Sequence, residues 1–180
     1  MSTQDNDQQE HTPKNPLDRA LKWLGDVASL LFVLTVLISF YEVMMRYVFN
    51  SPTIWVHETA SFLGGMLFVL GGSYALATNR HVRVVLLYDS VSEHTRKILN
   101  LFHHVMGMVF AALMIYASYH MVQASWFSPL GGIHLESSGS AWDPDFPAYT
   151  KLFILIIFIV MFVQFLLHLI QEIIELRSDR

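Results

Sequence analysis

Four long apolar runs dominate the chain, separated by short polar or mixed stretches. The first is roughly 23–47, wholly uncharged from Val27 to Tyr41. The second is roughly 54–78, broken by His57 and Glu58 at its start. The third is roughly 98–125. The fourth is roughly 149–169, with a polar-faced continuation to Leu176. A helix needs about 20 residues to cross a bilayer core, and each run reaches that length. The apolar residues surround each run rather than forming one stripe, as expected where lipid and neighbouring helices both offer apolar contact. The pattern predicts an all-α integral membrane protein with four transmembrane helices and a short amphipathic surface segment between helices 2 and 3. Residues 1–22 are expected to be a disordered cytoplasmic tail, 23–176 the four-helix transmembrane domain, and 177–180 a second cytoplasmic tail. The polar start has no apolar core of the kind a signal peptide needs.

The connections differ in character. Asn50-Ser51-Pro52-Thr53 reads as a tight turn, with Ser51 capping the second helix and Pro52 in its first turn. The stretch 79–97 mixes charges with Val82, Val84, Val85, Leu86 and Leu87, which suits a segment lying apolar side down on the membrane. The stretch 126–148 is long and rich in Gly, Ser and Pro, with Glu136, Asp143 and Asp145.

Composition sharpens the membrane reading. Of the 180 residues, 53% are hydrophobic and 14% charged. A soluble domain averages about 25% charged residues, enough to cover its surface. The net charge of -4 argues against nucleic acid, which requires a basic footprint. There is no cysteine, so disulfides and thiolate chemistry are excluded.

Charge placement gives an orientation. Lys14, Arg19 and Lys22 precede the first run. Arg80, Arg83, Arg96 and Lys97 lie between the second and third, and Arg177 and Arg180 follow the fourth. With four spans these fall on one side, expected to be the cytoplasm, and both termini lie there. Tyr47, Trp55, Trp126, Trp142 and Tyr149 then mark the outer interface, with Trp23 and Tyr88 at the inner one.

Three groups are candidates for something beyond packing. Glu42 and Arg46 are four apart on one helix face, and the turn brings Glu58 to a similar depth. They read as a structural salt-bridge cluster tying the first two helices together, or as an ion or proton relay. A relay wants carboxylates near the bilayer centre, where the sequence shows none. The second run carries Ala60, Gly64, Gly71 and Ala75 on one stripe, beside Ser61, Gly65 and Gly72. Such residues let helices approach closely, either within this chain, with Gly107 and Ala111 as mates, or against another membrane subunit. The third group is histidine: His103, His104 and His168 near inner helix ends, His57 and His120 towards the outer side. Paired histidines at matching depth would suit a haem b-binding redox subunit, which is the alternative reading. No catalytic, substrate-binding or metal-ligating motif stands out, and no cofactor is expected.

One stretch carries a more specific signal. The run Arg46-Tyr47-Val48-Phe49-Asn50-Ser51-Pro52, then Trp55 and Glu58, closely resembles the first helix-turn-helix of the small membrane subunit of tripartite ATP-independent periplasmic (TRAP) transporters, the DctQ-like family. The segment Arg80-His81-Val82-Arg83-Val84, with Leu86, Leu87 and Asp89, is similar to that family's inner connection. The detailed match covers about Arg46 to Asp89, with Val85 where the family often has an acidic residue and Glu42 where Gln is common. The resemblance implies an accessory small permease subunit of the bacterial inner membrane, not an enzyme. It would support a large elevator-type membrane subunit in sodium-coupled import of organic acids captured by a periplasmic substrate-binding protein, and would carry no substrate site itself. The charge cluster, the small-residue stripe and the stretches that carry the resemblance together make Glu42, Arg46, Trp55, Glu58, Gly64, Gly71, Arg80, His81 and Arg83 the structural and partner-interface candidates.

Overall fold

The computed structural model describes residues 15–78, 93–128 and 131–178. They form four helices: α1 (Pro16–Tyr47), α2 (Ile54–Ala77), α3 (Glu93–Trp126) and α4 (Phe146–Ser178). All four are long and apolar enough to cross a membrane. The protein is thus an all-α, four-span membrane protein, and among the described residues there is no strand beyond an isolated bridge between Phe127 and Ile133. The expected surface segment lies largely outside the described residues. Its last part does not: α3 already begins at Glu93, so Arg96 and Lys97 are helical.

α1 starts earlier than the apolar run. Pro16 sits at its first position, where a missing N–H costs nothing, and Arg19 N–H donates to the Asn15 carbonyl at 3.0 Å. Asp18 occupies the first turn, where a carboxylate suits the helix dipole. α1 ends at Tyr47, after which Asn50 turns left-handed with φ 49° and Ser51 N–H bonds the Met45 carbonyl at 2.9 Å. Asparagine is among the residues that best tolerate this conformation. Thr53, not Ser51, is the residue immediately before α2, and Pro52 precedes the helix instead of entering it. The start shifts because both the hydroxyl and the N–H of Thr53 are held by the Glu42 carboxylate.

The chain divides into two compact units. The first comprises 1–22, 72–115 and 158–180, and the second 23–71 and 116–157. In the first unit Leu21, Leu76, Ala77, Ala111, Met161 and Phe165 are buried. At Gly107 the Phe165 ring of α4 packs directly on the α3 backbone: a Cβ built there would lie 2.3 Å from that ring. Only glycine fits that contact. In the second unit the buried apolar residues are Ala28, Val56, Leu70, Ala148 and Ile157. Phe62 stacks on Phe146 with centroids 4.4 Å apart, and Trp126 meets Tyr149 edge-on at 6.0 Å. The apolar residues of α1 are mostly exposed: Leu30, Phe32, Leu37 and Phe40 each present more than half of their surface. In water this would be prohibitive; in a bilayer it is ordinary contact with lipid or another membrane helix.

Candidate functional site

Polar groups inside membrane helices are expensive, so their positions are informative. The first unit holds a buried polar cluster that no charge pattern along the sequence announced. Asp18 of α1 is 1% exposed and accepts from three side chains. Gln164 Nε2 donates to its Oδ1 at 3.0 Å, His168 Nε2 meets its Oδ2 at 2.7 Å, and Asn15 Nδ2 reaches Oδ2 at 3.4 Å. Ser73 of α2 donates its hydroxyl to Gln164 Oε1 at 2.7 Å, and Gln164 Nε2 also reaches the Ser73 carbonyl at 3.2 Å. Asn15 in turn pairs with Gln171 through both amide groups. Gln164, with no exposed surface, has its side-chain N and O both satisfied. Three helices are thereby pinned at one point. The signal for this was present: Gln164, His168 and Gln171 recur at helical spacing along an otherwise apolar α4, which places them on one face.

The second unit holds the charge cluster expected near the first turn, in a narrower form. Arg46 donates to Glu42 Oε1 at 2.7 Å, and Thr53 donates to Glu42 Oε2 through its N–H at 3.0 Å and its hydroxyl. Among the described residues Glu58 forms no ion pair with Arg46. The pair thus secures the end of α1 to the start of α2, with a threonine where a second carboxylate was expected. Trp55 lies 6.4 Å from Tyr41, ring centre to ring centre. Gly64 and Gly71 face open space: a Cβ at either would meet no atom within 4 Å. At Gly107 the neighbour is the Phe165 ring of α4. Arg80, His81 and Arg83 lie outside the described residues.

A third polar group anchors the loop between α3 and α4. Glu136 accepts from Ser125 and Lys151, and Lys151 Nζ lies 2.9 Å from Ser125 Oγ. Backbone bonds reinforce it, from His134 N–H to the Trp126 carbonyl and from Glu136 N–H to the Ser125 carbonyl. A serine beside a lysine suggests a nucleophile and its base, but Ser125 is 1% exposed and sealed under the loop, so no substrate reaches it. The hydrogen bond from Lys151, then that from Ser125, holds the Glu136 carboxyl below the ordinary carboxylate range. A carboxylate depressed in this way stabilises the loop above the ordinary carboxylate range and loses that contribution as pH falls through its own lower value. Amide protection in residues 131–138, corrected for the intrinsic exchange rate, is thus expected to be constant from about pH 8 to about pH 5 and to fall several-fold only below about pH 4. A Glu136→Gln variant should exchange faster throughout and lose this acid step.

The histidines come together only in part. His104 lies 5.6 Å from His168 and 5.6 Å from His103, ring centre to ring centre, all within the first unit. The Nε2 of His168 is engaged by Asp18. His120 packs instead against Tyr116 and Tyr119 of its own helix, and His57 is exposed. Among the described residues no group of three His, Asp or Glu side chains is placed to hold a metal.

Comparison with known proteins agrees with this picture. A family model described as the DctQ component of tripartite ATP-independent periplasmic transporters matches residues 35–178. The chain is 30% identical to the sialic acid TRAP transporter permease protein SiaT of Haemophilus influenzae over 65% of its own length and 19% of that protein. It is 27% identical to the sialic acid TRAP transporter small permease protein SiaQ of Vibrio cholerae, over 62% of each chain. It is 24% identical to the C4-dicarboxylate TRAP transporter small permease protein DctQ of the same species, over 51% of this chain and 41% of the relative. The matched stretches thus span less than two thirds of each relative. With its four membrane-spanning helices and a match over most of its length, this multi-pass inner-membrane chain belongs to the DctQ family, a transporter component and not an enzyme.

Proposed function

We propose that the chain is the small accessory subunit of a TRAP import system, which docks to a large membrane subunit and carries no substrate site. The family match over residues 35–178 carries this reading. The geometry supports it: α1 to α4 are uninterrupted helices of 24 to 34 residues, whereas substrate sites of secondary transporters commonly use broken helices near the bilayer centre. The Haemophilus relative supports the docking, because there a similar stretch makes up only 19% of a longer permease. The large subunit would import an organic acid delivered by a periplasmic binding protein, driven by sodium. Four added helices would widen the static part against which an elevator-type partner moves. Interfacial tryptophans such as Trp55 and Trp142, both about half exposed, would fix its depth. Lys and Arg placement supports both termini in the cytoplasm.

The open side of α2 at Gly64 and Gly71, and the half-exposed Arg46, are proposed as contacts for the large subunit. A Cβ at Gly71 meets no atom of this chain, so Gly71→Leu should not lower the melting temperature of the chain alone. Its recovery with a tagged large subunit in mild detergent should drop about tenfold, the equivalent of about 1.4 kcal/mol. Arg46→Ala should lower recovery less, since Thr53 still holds Glu42. Full recovery of the large subunit with both variants would rule out these faces. Failure of the wild-type chain to co-purify would rule out the docking itself.

A further inference from the structure

The last third of α3, in the second unit, leaves a row of polar side chains exposed. Tyr116, Tyr119, His120 and Gln123 follow one another at helical spacing and so share one face. All four are exposed, and Tyr116 presents 68% of its surface. His120 meets the Tyr116 and Tyr119 rings edge-on at 4.7 and 5.8 Å, and Gln123 Nε2 donates to the Tyr119 hydroxyl at 2.8 Å. Among the described residues the Tyr116 hydroxyl and the His120 imidazole make no hydrogen bond.

Depth gives the row a consequence. α3 ends at Trp126. At about 1.5 Å per residue, His120 lies about 9 Å and Tyr116 about 15 Å along the helix from that tryptophan. A bilayer core is about 30 Å thick, so from an interfacial Trp126 the row reaches about its middle. Side chains lean toward a helix's N-terminus, which in α3 is away from Trp126, so Tyr116 and His120 do not reach back to the headgroups. Thr35, Ser39 and Thr59, exposed in the same unit, each donate to a backbone carbonyl of their own helix at 2.7 to 2.8 Å. An aromatic ring holds its polar atoms too far from the backbone for that remedy. Lipid tails offer no hydrogen bond, and polar side chains at such depth serve to join helices. We propose that this face of α3 docks a transmembrane helix of the large membrane subunit, one with hydroxyl or carboxamide side chains opposite Tyr116 and His120. Ala117 and Ala124, exposed beside the row, leave room for a close approach. The inference rests on the docking reading and adds α3 to the contacts on α2 and at Arg46.

Binding of the chain to a tagged large subunit in mild detergent tests it. Tyr116→Phe combined with His120→Phe keeps both rings and removes their polar atoms. The double variant's apparent affinity should fall about tenfold, the scale of two lost hydrogen bonds between membrane helices. The melting temperature of the chain alone should not fall, because neither polar group bonds within it. p-Benzoylphenylalanine in place of Tyr116 should crosslink to the large subunit when membranes holding both are illuminated. Wild-type affinity in the double variant overturns the proposal. So does a crosslink from position 116 to lipid alone or to a second copy of this chain. A wild-type chain that binds no large subunit removes the docking reading and this contact together, whereas equal binding by wild type and double variant removes the α3 contact alone.

Discussion

Asp18→Ala should destabilise the detergent-solubilised chain by about 3 kcal/mol, measured by thermal or SDS-induced unfolding. A single hydrogen bond between membrane helices averages only about 0.6 kcal/mol. Asp18 is different because three donors converge on it and its carboxylate has 1% of its surface exposed. Truncation leaves Gln164 Nε2 with only the Ser73 carbonyl, and removes the partner of the buried His168 Nε2. Asp18→Asn keeps the shape and an acceptor, so about 1 kcal/mol is expected. Equal losses for the two variants would mean that shape, not the convergence of donors, holds the first turn of α1.

Gly107→Ala should cost about 2 kcal/mol in the same assay, a large penalty for one methyl group. The added carbon would sit 2.3, 2.5 and 2.7 Å from three atoms of the Phe165 ring. That ring is 3% exposed and flanked by His103 and His104 at 6.1 and 6.4 Å, so it has little room to swing away. Gly64→Ala is the control. Nothing lies within 4 Å of its new carbon, and alanine favours helix by up to about 1 kcal/mol, so this variant should be neutral or slightly stabilised. The contrast separates glycines used within the chain from those left open on its surface.

The helices were legible because a bilayer imposes a length and an apolar composition that a linear sequence displays directly. The Glu42–Arg46 pair was legible for a similar reason: its members are four apart, and local spacing sets the contact. Glu58 was assigned to that cluster from depth alone, and the competing hydrogen bonds of Thr53 were not visible in a charge pattern. Asp18 was hidden by its neighbours. Beside Lys14, Pro16 and Arg19 it reads as part of a solvated tail, whereas its partners Gln164 and His168 lie 146 and 150 residues along the chain. No periodicity within one segment encodes such a meeting. The polar residues of α4 were the available clue, since a buried glutamine in an apolar helix demands a partner. The stripe of small residues on α2 shows the converse case. Its spacing was plain, but spacing does not say what each residue faces: a Cβ at Gly64 or Gly71 would meet no atom within 4 Å.

The chain is proposed to assist transport without carrying substrate. Reconstitution in liposomes tests this most directly. The chain alone, with its binding protein, a labelled organic acid and an inward sodium gradient, should give no uptake above empty liposomes. Adding the large subunit should produce uptake, which falls when this chain is withheld. Sodium-driven accumulation by the chain alone would contradict the account, as would full activity of the large subunit in its absence.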